Sequence, residues 1–192
     1  MKEFVKFLSD FNTLLGLCSK LAAAAPFADL LLQWGPPWPT RAGVAVFSTL
    51  LQLAGLAYVF ELWMPLPELR LQKRMLILFW LLIFCVVFYV ISFIALVISC
   101  PADDSNKVVT GFIYQADVRE LLGTPGYPNR AALLNHFSCE PERVWTDWSV
   151  LIARCWLLVL WLGMWTSLAM YFGTFVLLQK CKSPVPPVAT AP

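Results

Sequence analysis

The fold predicted by this sequence is all-α: a polytopic integral membrane bundle with a small helical cap. Three observations carry the prediction. Residues 75–98, MLILFWLLIFCVVFYVISFIALVI, contain no charged side chain, which is enough apolar chain to cross about 30 Å of hydrocarbon. Further apolar runs occupy 43–65 and 149–179. Of the 192 residues 14% are charged and 59% hydrophobic, and the mean hydropathy is +0.70, whereas a soluble domain carries roughly 25% charged residues.

The first element, over about 4–33, is the ambiguous one. Phe4, Phe7, Leu8, Phe11, Leu14, Leu15, Cys18 and Leu21 share one helical face, and Lys2, Lys6, Asp10, Asn12, Thr13 and Lys20 share the opposite one. That is the pattern of an amphipathic helix lying in the interface. The period fails after Ala22, Pro26 interrupts the segment, and GPPWP at 35–39 ends it. If the segment spans, Lys20 and Asp29 must avoid lipid, because a central Lys or Asp costs about 2.5–3.5 kcal/mol there.

The second element, 43–65, contains Gln52 beside Ala54, Gly55 and Ala57. Small residues permit close helix approach, and Gln52 should seek a partner on a neighbouring helix. The third, 75–98, follows a connector bearing Arg70, Lys73 and Arg74. The fourth, 149–179, begins near Trp145, Trp148 and Trp156, which mark an interface. It offers Gly163, Ser167 and Gly173 for packing and is closed by Lys180 and Lys182.

Positive charge near span ends marks the cytoplasmic side. With four membrane segments both termini are cytoplasmic, every basic cluster obeys the rule, and loop 100–148 lies outside. Three spans plus a surface helix is the competing arrangement. In the four-segment form Asp29 and Arg154 approach the same boundary, and a pair between them is expected. Residues 1–182 then form a single membrane domain, and the Pro-rich 183–192 a flexible tail.

In the loop, 114–123 and 129–137 read as short helices separated by a TPGYP turn, with Gly123 as a C-cap. Val108, Val109, Phe112, Ile113 and Leu121 supply their apolar side. Cys100 and Cys139 flank this loop, and a disulfide there would restrict the unfolded chain by about 4 kcal/mol. Cys181, between two lysines beyond the last span, fits a palmitoylation site.

Net charge of +2 with no basic stripe argues against nucleic acid. His136 is the lone histidine and zinc-type Cys spacing is absent, so neither a metal nor another cofactor is expected. No catalytic constellation appears, and a membrane-embedded enzyme is the least favoured class. The favoured reading is a non-enzymatic accessory or assembly subunit that works through helix–helix and loop contacts with a membrane-protein partner or by self-association. The alternative is a self-oligomerising, membrane-permeabilising effector whose Lys6, Asp10, Thr13, Lys20 and Gln52 face a water path.

Overall fold

The computed structural model describes residues 35–37, 41–100, 103–121 and 129–182. The chain is mostly helical, and among the described residues three helices are long and apolar enough to cross a membrane. They are α1 (Arg41–Trp63), α2 (Glu68–Leu96) and α6 (Asp147–Lys182). Between α2 and α6 lie strands β1 (Val97–Cys100) and β2 (Asp103–Val109), then the short helices α3 (Ala116–Arg119), α4 (Arg130–His136) and α5 (Pro141–Val144). The expected segment over 4–33, with Cys18, and the tail lie outside the described residues.

Helix α6 is the hub. Both α1 and α2 pack along it, whereas they make few contacts with each other. From Leu160 to Gln179 every described residue of α6 is buried or half-buried. Helix α2 meets it through a seam of strict heptad spacing: Leu71, Met75, Leu78, Leu82, Cys85, Tyr89, Ser92 and Leu96 are all buried or half-buried. Alternating steps of four and three residues give the shallow left-handed crossing of a coiled coil. Glycine lets the backbones close: a Cβ on Gly163 would lie 3.1 Å from Cys85 Sγ, and one on Gly173 would lie 3.0 Å from Leu56 Cδ2 of α1. Gly55 of α1 answers from the other side, with Met170 Cγ at 3.2 Å from its virtual Cβ.

The chain turns from α1 into α2 within 64–67. Leu66 N donates to Trp63 O, and Pro67 caps α2, its fixed φ suiting a helix start. Arg70, Lys73 and Arg74, read from sequence as a connector, therefore lie within the first turns of α2. Arg74 stacks its guanidinium 4.6 Å from the Trp63 ring centroid, a cation–π contact that pins the turn.

The region between α2 and α6 departs from the all-helical expectation. Helix α2 stops at Leu96, and the chain enters a two-stranded antiparallel sheet in which Val97 faces Val109 and Ile98 faces Val108. Apolar β-branched residues suit helix and strand alike; here the cross-strand partners decide. Thr110 locks the hairpin base, its N–H and its hydroxyl both donating to Leu96 O, at 2.7 and 2.9 Å. The helix expected over 114–123 shrinks to α3. The one expected over 129–137 forms as α4, with Asn129 Oδ1 accepting from Ala132 N at 2.8 Å as an N-cap should. It ends with Ser138 N donating to Asn135 O and Cys139 N to Leu134 O, a Schellman closure. Ser138 and Cys139 both adopt positive φ to achieve it. Cys139 is joined to Cys100 in a disulfide, with Cα atoms 6.0 Å apart. Gly123 and the TPGYP turn lie outside the described residues.

Val118, Leu133, Leu134, Val144, Trp145 and Val150 form a core of their own beneath these short elements. Trp145 is fully buried there, so it is a core residue and not an interfacial one, while Trp148 is exposed and meets Phe112 edge-on at 5.5 Å. Phe112 and Ile113, read from sequence as part of the apolar side of the loop helices, are exposed.

Candidate functional site

Two surfaces carry chemistry. The first is the junction where the hairpin and α5 sit over the α2–α6 seam. Arg154 lies on the second turn of α6, its side chain 20% exposed, and its Nη2 stands 2.8 Å from Glu142 Oε1. Gln115 fastens the segment bearing Glu142, donating from Nε2 to Glu142 O at 2.6 Å and from N to Val144 O at 3.1 Å. Thr146 N and Ser149 Oγ both donate to Ile113 O, so the entry to α6 is tied to the segment after the hairpin. Arg154 and Lys107 line a polar pocket of about 250 Å³ together with Pro37, Cys139 and Pro141.

Directly adjoining it is an apolar groove of about 370 Å³ between α2 and α6. Tyr89, Val90, Phe93 and Ile94 form one wall, and Trp161 and Met164 the other. Lys107 lines the groove as well as the polar pocket. Its Nζ lies 5.6 Å from the Phe93 ring centroid, so the ammonium stands over a ring of the groove wall, within cation–π range.

The second surface is the outward face of the bundle. Helix α2 presents Trp80, Phe84, Phe88 and Ile91 away from α6, with Phe84 and Phe88 ring centroids 4.2 Å apart. On α1, Leu50, Leu53 and Tyr58 are similarly uncovered.

The structure separates the residues singled out from sequence. Gln52 is 1% exposed. Its Nε2 donates to Ser48 Oγ of its own helix at 3.4 Å, and its Oε1 is buried with no hydrogen-bond donor among the described residues. Lys6, Asp10, Thr13, Lys20 and Asp29 lie outside the described residues, and so does any geometry of an Asp29–Arg154 pair; the described partner of Arg154 is Glu142. Cys181 is exposed at the end of α6. Cys85 is buried in the α2–α6 seam, and Cys155 is exposed. Among the described residues no group of three or more His, Cys, Asp or Glu converges as a metal-binding cluster.

Sequence reasoning missed Lys107 and Glu142. Each is an unremarkable loop charge until β2 and α5 place it over the seam. The signal that existed was Arg154, a charge within an otherwise apolar helix, which demands a nearby partner. Compared with known proteins, the chain matches no family model, no curated protein and no solved structure.

Proposed function

We propose that this chain is a non-enzymatic integral membrane subunit that assembles with a larger membrane protein through the outward faces of α1 and α2 and through the disulfide-closed cap. The observation that carries the reading is the unequal covering of the helices. Helix α6 is covered all round from Leu160 to Gln179, whereas α1 and α2 each bury a single stripe against it. Trp80, 62% exposed, lies about 9 Å along the axis from Arg74, within the apolar run. Lipid tails offer its indole N–H no acceptor, and a partner helix does.

In this reading residues 97–146 are the extramembrane cap and face an oxidising compartment, where a Cys100–Cys139 bond persists. The opposite end, with Arg70, Lys73, Arg74, Lys180 and Lys182, is cytoplasmic by the positive-inside rule. Helix α1 starts at the cap end, so a cytoplasmic N-terminus makes the opening segment a fourth crossing. The exposed Phe112 and Trp148 then supply aromatic rings at the interface beneath the cap, with the exposed Ile113 beside them.

The test sets a photo-crosslinking residue at position 80 in native membranes beside purified full-length protein in dye-loaded liposomes. A discrete heavier adduct from position 80, with the dye retained, is the expected result. Dye release at any protein-to-lipid ratio tested makes the chain a membrane-permeabilising protein instead.

A further inference from the structure

We infer that residues 4–33 of this same chain pack along the third side of α6, with the Lys20 ammonium donating to Gln52 Oε1 and Thr166 Oγ1. Between Leu160 and Gln179 no described residue of α6 is exposed, although its two long neighbours take up only part of its circumference. Helix α1 meets it at Thr166, Met170 and Gly173, and α2 at Gly163 and Tyr171. Trp165, Leu168, Phe172 and Phe175 recur at heptad spacing, about a third of a turn or more from both sets. All four are half-buried, whereas Phe84 and Phe88 on the open side of α2 are 47% and 42% exposed. Leu168, Phe172 and Phe175 belong to neither described core cluster of the bundle. Their cover lies outside the described residues.

The length and the end point of the opening segment single it out. The tail 183–192 carries four prolines and would leave backbone groups unpaired in hydrocarbon. Residues 38–40 and 101–102 are too short to follow the stripe, and 122–128 join α3 to α4 at the cap end. Residues 4–33 amount to about 45 Å of helix. Their exit lies at the top of the stripe: Gly35 and Pro36 are buried, and Pro37 shares a cavity with Arg154. Arg154 stands on the same heptad row as Trp165, nearer the cap.

The segment also carries a stripe that fits. Thr13, Gly16, Lys20 and Ala23 recur at heptad spacing, opposite Phe7, Phe11, Leu14 and Cys18. In lipid the small and polar stripe turns to a neighbouring helix, and the bulky one to the acyl chains. A chain descending from Arg154 brings Lys20 level with Ala169. Gly55 lies against Thr166 and Met170, so Gln52, one turn nearer the cap, is about 6 Å along the axis from that level. A lysine side chain spans the gap. Gln52 Oε1 and Thr166 Oγ1 are both buried with no hydrogen-bond partner among the described residues, and Gln52 is 1% exposed. An ammonium brings three donors, and hydrocarbon would leave all three unpaired. The inference rests on the fourth crossing proposed above, and it needs no larger partner.

A photo-crosslinking residue is placed at position 172 of the purified full-length protein in micelles, and adducts are mapped by mass spectrometry. An adduct within the chain, to residues 13–21, is the expected result. The same probe at position 84, on the open side of α2, should give none. Lys20→Met should lower the melting temperature by about 4 °C, the scale of one lost charge-assisted hydrogen bond. With Gln52→Leu already present, the same change should cost less than half as much. Adducts from position 172 to detergent alone or between molecules overturn the inference, as do equal losses from Lys20→Met in both backgrounds. An epitope tag ahead of Met1 separates the causes. Reached by antibody from the cap side of intact cells, it removes the fourth crossing and this inference with it. Shielded there, with no adduct within the chain, it removes this inference alone.

Discussion

Gly111 shows how one missing methyl group holds the segment after the hairpin to the entry of α6. A Cβ there would collide with Ser149 Oγ and stand 2.7 Å from Trp145 Cβ. Both neighbours sit at the entry to α6, and the Ser149 hydroxyl is engaged with Ile113 O and Thr146 O at 3.4 and 2.9 Å. Gly111→Ala should therefore destabilise the protein by about 3 kcal/mol, the upper range for inserting a methyl into a packed site, as measured by thermal unfolding in detergent micelles. An unchanged melting temperature would mean that the hairpin can slide away from α6 at little cost. Nothing in the sequence distinguished this glycine, since the contact joins residues far apart in the chain. Gln52 was legible as a buried polar side chain in α1, for the same reason that made it conspicuous: an amide in an apolar helix must hide from lipid. Its described partner is Ser48 on its own helix and not, as expected, a group on a neighbour.

The three long helices could be read directly because hydropathy reports the solvent that they face. The observed boundaries differ from the predicted spans: α2 starts at Glu68, a basic first turn and more ahead of 75, but stops at Leu96, α1 is shifted towards the N-terminus, and α6 overruns 149–179 at both ends. The seam of α2 was much less visible. Every outward position of its apolar run is also apolar, so no amphipathic period marks the buried side. The clues were the less lipophilic members, Cys85, Tyr89 and Ser92, which all fall in the seam; Ser92 Oγ accepts from Trp156 Nε1 at 3.0 Å. At this scale Gly163 and Cys85 are coupled. Gly163→Ala should cost about 1 kcal/mol by pressing on Cys85 Sγ, and Cys85→Ala in the same chain should recover most of it. A double-mutant cycle of unfolding free energies gives the answer; strict additivity would show that α2 and α6 do not touch there. The hairpin escaped sequence reading for a different reason. Val97 and Ile98 continue an apolar helix, and only their distant partners Val108 and Val109 turn them into a strand.

For the whole molecule, the disulfide decides how the proposed cap, residues 97–146, behaves as a unit. It links the end of β1 to the Schellman turn after α4 across a separation of 39 residues. Loop closure of that length restricts the unfolded chain by about 4 kcal/mol. Cys139→Ser should open the cap to protease between residues 112 and 146 well below the temperature at which the three long helices lose their circular dichroism. If cap and helices still melt together, they form one cooperative unit and the bond is incidental to it.

The hub position of α6 has a consequence for biosynthesis. Helices α1 and α2 emerge from the ribosome first, yet among the described residues they touch each other little and both wait for α6 to pack against. Until residues 147–182 enter the bilayer, the earlier helices have insertion but no tertiary structure. Cys100 likewise waits for Cys139, which arrives just ahead of α6. Assembly of this protein is therefore gated by its final described helix, and the half-made chain is the form most exposed to the membrane's quality-control proteases.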